Sequence, residues 1–208
     1  MSKNILAALI LGLSGVSAAV MTAAPVRAEV IERVNVRGSI VNYSGSALKV
    51  KTREGETVDV ALAEGWKVSS VTKSKATDIK PGDFVGIASV PKEDGDDRAF
   101  EVLIFPPALK GIWEGSYGWD LKPNSNITNA TVADAVRDVD GQTITISYHG
   151  KEKKISVPDG TPAVTVAEPA TEDDLVVGAV VFIPAWKAAT GMVAHQVVVG
   201  KDGVVPPM

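Results

Sequence analysis

Trp113, Tyr117 and Trp119 fall within the short stretch GIWEGSYGWDL (111–121), in a chain whose aromatic content is only 5%. Glycines at 111, 115 and 118 interrupt any pattern that would bury these rings in a helix or strand. An indole or phenol face offers broad apolar area with one polar handle, the combination that captures a sugar, a peptide or another cell-envelope ligand. Asp120 follows directly and can fix the orientation of such a ligand. Trp113, Tyr117, Trp119 and Asp120 are therefore the candidate ligand-binding residues. The same rings could instead plug the seam between two domains.

Metal chemistry has less to draw on. The 208 residues contain no cysteine and two histidines, which excludes thiolate catalysis, disulfides and cysteine-based zinc or iron–sulfur sites. His149 stands in the turn SYHGKE and His195 near the start of the last strand-like segment. Either could hold a transition metal only with help from carboxylates. The acidic run EDGDDR (93–98) lacks the spacing and terminal glutamate of a calcium loop, and its Asp-Gly pair reads as a hairpin turn. ATEDDL (170–175) is a weaker analogue.

Catalysis has no nucleophile elbow of the Gly-x-Ser-x-Gly kind, and neither histidine has a partner suggested by spacing. Two carboxylates suffice for glycoside hydrolysis, so a hydrolase stays as a second alternative. No catalytic residue and no cofactor is assigned.

The elements that position these residues begin after residue 28. Residues 1–28 combine an early Lys3, a long apolar run and the small-residue ending Val26-Arg27-Ala28, which is the form of a secretory signal peptide. Its removal takes Lys and Arg from 21 to 19 against 25 Asp and Glu, a mature net charge of about −6. Such a surface disfavours nucleic acid and anionic lipid as partners. No later segment reaches the roughly 18 apolar residues of a membrane span, so no integral membrane domain is expected after cleavage.

The mature chain alternates apolar and polar residues in short runs. VNVRGSIVNY, ALKVKT, TVDVAL, WKVSSV, DFVGIASV and AFEVLIF come first; ATVADAVRDV, TITISY, KKISV, AVTV, AVVFI and HQVVV follow. That is the period of strands. ATVADAVRDV also admits a helical turn, as does SKATDIKPGD before Pro81 and Gly82 stop it. In KPGD, Pro81 and Gly82 supply a tight turn and Asp83 can accept from a nearby backbone amide.

The two series repeat. An offset of 96 carries Ile79, Gly82, Val85 and Ile87 onto Leu175, Gly178, Val181 and Ile183, and carries Gly45, Leu48 and Val50 onto Gly141, Ile144 and Ile146. An offset of 95 carries Ala99 and Val102 onto Ala194 and Val197. Three blocks in one order predict an internal duplication. The expected fold is all-β, with two tandem OB-like or SH3-like β-barrels over 29–105 and 130–208, joined by an aromatic connector over 106–129.

Gly82-Asp83-Phe84-Val85 and Ala99-Phe100-Glu101-Val102 resemble uncharacterised secreted bacterial domains of OB-like fold, which carry a Gly-Asp-x-Val motif and a final Ala-x-x-Val strand. WDLKPNSNITNATV is similar to the connector of alphaproteobacterial exported proteins, some of them labelled metal-transporter permeases. The label requires multiple membrane spans, which this chain lacks. The family's connector often holds a histidine near the positions of Ser116 and Tyr117, and none stands here. The resemblance implies a periplasmic or secreted protein. The expected function is a non-catalytic binding or scaffolding protein of the cell envelope, with an envelope ligand or protein as partner and a periplasmic metal-handling accessory as the alternative.

Overall fold

The computed structural model describes residues 31–206 apart from Asp94 and Glu168. The expected signal peptide, 1–28, lies outside the described residues. The fold is all-β. Its strands are β1 (Glu32–Tyr43), β2 (Ala47–Thr52), β3 (Thr57–Lys75), β4 (Phe84–Val90), β5 (Asp97–Phe105), β6 (Gly115–Trp119), β7 (Ser125–Asp138), β8 (Gly141–Tyr148), β9 (Lys151–Pro158), β10 (Pro162–Ala167), β11 (Val180–Ala188) and β12 (Gly191–Gly200).

Alternation decides most of them. In β2, Leu48 and Val50 are buried while Lys51 is exposed, and in β8 Ile144 and Ile146 are buried in the same phase. TVDVAL and WKVSSV form one strand, β3, that runs through Gly65 at φ 70°. ATVADAVRDV is strand rather than helix, and SKATDIKPGD holds a single 3-10 turn, Ala76–Asp78. Asp83 accepts from the Lys80 amide at 3.0 Å, as the KPGD turn requires.

Five strands close a barrel. β1 lies antiparallel between β2 and β11, β2 is antiparallel to β3, β3 is parallel to β12, and β12 returns antiparallel to β11. Val36, Ile40, Leu48, Val50 and Val60 fill it from one side of the connector, Val181, Ile183, Ala194, Val197 and Val199 from the other. Of the tandem arrangement expected, the all-β class and a closed barrel are present. The barrel draws strands from both series, because β11 and β12 occupy the places next to β1 and β3 that β4 and β5 would take in a barrel made of residues 29–105 alone.

The other strands extend the sheet. β5, β4, β7, β8 and β9 pair antiparallel in that order, and two parallel pairs, Asp97↔Ile155 and Arg98↔Ser156, bring β9 back to β5. Their apolar residues, among them Val85, Ile87, Val102, Ile144, Ile146 and Ile155, make a second core. β10 lies between β3 and β5 and ties this group to the barrel. Between the two cores sits a third cluster around Val71, Phe84, Leu103, Phe105, Val164, Phe182 and Val198. Asp97, expected in the hairpin turn EDGDDR, is instead buried in β5, where Lys153 (2.6 Å) and Ser89 (2.8 Å) satisfy its carboxylate.

The connector joins the sheet as well. Gly115–Trp119 pairs with β7 from Asn129 back to Ser125, so a stretch without alternation becomes a strand because β7 offers a free edge.

Gly38 lets β1 and β2 approach closely. A Cβ there would lie 2.1 Å from the Lys51 carbonyl oxygen and 2.8 Å from Thr52 Cα. Backbone cannot give way as a side chain can, so Gly38→Ala is expected to cost at least the ~1–3 kcal/mol of an overpacked core. Thermal unfolding followed by circular dichroism should register a loss of several degrees; an unchanged midpoint would refute the close approach.

Candidate functional site

The outer face of the barrel carries a row of cross-strand pairs. β1 and β11 place Arg33 opposite Trp186, Asn35 opposite Pro184 and Arg37 opposite Phe182. Strand alternation turns Val181, Ile183 and Ala185 inward and leaves the even-numbered neighbours facing out. The connector covers one end of this row with Trp119 and Asp120 and borders the other with Trp113.

At the covered end, Asp120 receives two hydrogen bonds from the Arg37 guanidinium, at 2.9 and 2.7 Å, and a third from Asn35 Nδ2 at 3.1 Å. The guanidinium lies 5.3 Å from the Trp119 ring centre and 5.1 Å from that of Phe182, a cation–π arrangement on both rings. Burial alone would raise the Asp120 carboxyl. The hydrogen bonds from Arg37 and Asn35 and the charge of Arg37 outweigh it and hold the group below its ordinary value.

At the open end, the connector's turn delivers Trp113 beside Arg33 and Trp186. A cleft of about 260 Å³ forms there, lined by Arg33, Trp113, Pro184, Trp186, His195 and Gln196. Trp113 is 57% exposed and Trp186 48%. Trp113 has φ 48°, the left-handed region, which costs a residue with a Cβ roughly 1–2 kcal/mol. Asn129 Nδ2 donates to its carbonyl at 3.0 Å and pins that conformation. An exposed tryptophan held on strained backbone is a feature that stability alone does not select.

The four connector residues singled out in the sequence thus divide. Trp113 lines the cleft. Tyr117 is exposed, and its hydroxyl donates to the Glu114 carbonyl at 2.9 Å. Trp119 and Asp120 turn onto the barrel, where Phe182 and Arg37 engage them. The two histidines also separate: His195 lines the cleft, whereas His149, in the β8–β9 turn, donates its backbone amide to Glu114 Oε1 at 2.8 Å and braces the connector. Among the described residues no group of three or more histidines and carboxylates is placed to hold a metal ion.

Sequence reasoning missed Trp186 and Arg33. The signal for Trp186 was its phase, since it falls on the outward side of the strand that buries Val181 and Ile183. Arg33 carried no signal of its own, because only register places it opposite Trp186.

A larger concavity, about 510 Å³, opens beside the β9–β10 turn, with Lys73, Lys75, Arg137 and Asp159 in its lining. It contains no aromatic ring, and Arg137 lies 3.8 Å from Asp159. The smaller cleft is the one lined by exposed aromatic rings. No family model, curated protein or solved structure matches this chain. The cleft must therefore be interpreted from its own residues. Among the described residues no helix is long and apolar enough to cross a membrane.

Among the described residues Glu101 is one of several whose side chain leaves a buried polar atom unpaired. Its Oε2 is buried without a hydrogen-bond partner, and burial pushes the carboxyl up against the opposing charges of Arg53, Arg37 and Lys122. A raised folded pKa means that the folded state binds this proton more tightly than the unfolded chain. The ionised form therefore detracts from stability above the folded pKa, and the penalty disappears below the unfolded value of about 4.3. Glu101→Gln should melt higher than wild type at pH 7, with the gap closing as the pH falls to 4. Equal melting at pH 7 would show that the carboxylate is fully solvated.

Proposed function

We propose that this chain is an exported, non-catalytic binding module of the cell envelope, periplasmic or secreted, and that it engages its ligand at the cleft between Trp113 and Trp186. One observation carries the reading: two half-exposed indoles, from elements far apart in the chain, line the same cleft, and one of them is held there at a backbone cost. Large exposed rings gathered in a concavity are the usual anchors of recognition.

We infer further that the scaffold is a duplication whose halves have exchanged their last strands, giving two five-stranded barrels. Several pairs of features support this. Gly82 and Gly178 have φ of 93° and 88°. The amide of Gly82 donates to the Val132 carbonyl and that of Gly178 to the Ile40 carbonyl, each at 2.8 Å. The β1–β2 and β7–β8 ladders carry bulges at Ile40/Asn42 and Val132/Asp134. β3 and β10 run antiparallel with Val71 opposite Val166, so that corresponding segments of the two series pair with each other. In this alignment β1 and β7 correspond at an offset of 92, because the arms of the β7–β8 hairpin are longer than those of β1–β2. Each barrel then braces the other, and the cleft is preformed.

Titration of the mature protein with fractionated envelope polysaccharide, peptidoglycan fragments and peptides tests the binding reading. At least one fraction should change tryptophan emission saturably, and Trp113→Ala or Trp186→Ala should abolish that change. Silence with every fraction, or a response that survives both substitutions, would overturn it.

A further inference from the structure

The chemistry of the cleft narrows the ligand. Its charged and titratable lining groups are the Arg33 guanidinium and the His195 imidazole, with no carboxylate among them, on a chain of formal net charge −4. A basic lining on an acidic molecule selects for an anion locally while the rest of the surface repels it. The guanidinium is a planar fork suited to a carboxylate in two-point contact. Arg33 is exposed at the end of β1, and among the described residues no carboxylate lies within ion-pair distance of it.

The shape narrows it further. At about 260 Å³ the cleft falls below the ~300–1,000 Å³ of pockets that enclose a whole small molecule. It suits one ring of a longer ligand. At the cleft β11 is paired on both sides, while β1 pairs with β2 only from Gly38 onward, so the main-chain edge beside Arg33 is open to a peptide strand and the peptide probe below is the control for that mode. A stacked nucleobase would bring a phosphate chain that needs a basic track, and the cleft offers only Arg33 and His195. A pyranose ring has an apolar C–H face for an indole and a rim of hydroxyls for donors and acceptors such as the Gln196 amide.

We propose that the ligand is an acidic saccharide, held by a uronate ring that stacks on Trp113 and Trp186 and sets its carboxylate against Arg33. The proposal rests on the binding reading above and specifies its ligand class. Three probes test it by tryptophan emission and calorimetry: a trigalacturonate, the neutral galactose trimer and a glutamate-rich peptide of similar charge. The trigalacturonate should bind about 10-fold or more tightly than the neutral trimer, and raising salt from ~0.05 to ~0.5 M should shrink that ratio by screening. Arg33→Gln, an exposed substitution whose melting point should match wild type, should bring the two trimers level. Trp186→Ala should lose both. Equal binding of the two trimers, a preference that survives Arg33→Gln, or tighter binding of the peptide would overturn the assignment. If all three probes fail while an envelope fraction still shifts the Trp113 and Trp186 emission, the ligand class is wrong and the binding reading stands. If no fraction acts, both fall.

Discussion

Cut between Pro123 and Asn124, the protein should stay in one piece. The turn there is exposed and closed by the Ser125 amide on the Lys122 carbonyl, so an inserted protease sequence would be accessible and tolerated. The first fragment would carry β1 to β6 and the second β7 to β12. Neither can close the barrel, whose β1, β2 and β3 come from the first fragment and β11 and β12 from the second. β4 pairs with β7, and β5 with β9 and β10, so the remaining strands also cross the cut. The fragments should co-elute at the mass of the intact chain and separate only in denaturant. Their unfolding midpoint should rise with concentration, because folding has become an association. Two consecutive, self-contained barrels would give the opposite result: fragments that elute apart and melt at concentration-independent temperatures.

The same mixing of early and late strands explains what the sequence could and could not reveal. ALKVKT and TITISY show their inward phase because burial of Leu48, Val50, Ile144 and Ile146 is a local, period-two property. Which strands share a barrel is not local. β4 in place of β11 would bury Val85 and Ile87 where Val181 and Ile183 now lie, with the same residue types and the same turn at Gly82 or Gly178. Hydrophobic patterning is indifferent between the two pairings; the links between strands decide, as in domain swapping between separate chains. The aromatic stretch was legible as unusual and opaque as to purpose for a related reason. Trp119 finds Phe182 and Arg37, and Trp113 finds Trp186 and Arg33, all partners remote in sequence. Composition identified the rings, while register and the course of the connector divided them between seam and cleft.

At that seam, Asp120→Ala should destabilise the protein more than Arg37→Met, although both remove the same ion pair. The Arg37 side chain is 8% exposed and that of Asp120 49%. Deleting Asp120 takes from a guanidinium that lies between two aromatic rings the carboxylate that accepts two of its hydrogen bonds. A fully buried pair broken this way costs about 3–5 kcal/mol; with one partner half in water, about 2–3 kcal/mol is expected here. Met in place of Arg37 keeps apolar contact with Trp119 and Phe182 and leaves a carboxylate that water can solvate, so its cost should stay below about 1 kcal/mol. The double variant should match Arg37→Met, because the damage done by Asp120→Ala requires the buried charge to be present. Acid gives an independent check. Because the folded pKa of Asp120 is lowered, the pair stabilises fully above the unfolded value of about 3.9, and that contribution is lost as the pH falls through the folded value. Denaturant unfolding at pH 7 and pH 3 should therefore show wild type and Asp120→Ala converging in acid. A gap that stays constant would mean that Asp120 supports the seam through packing rather than charge.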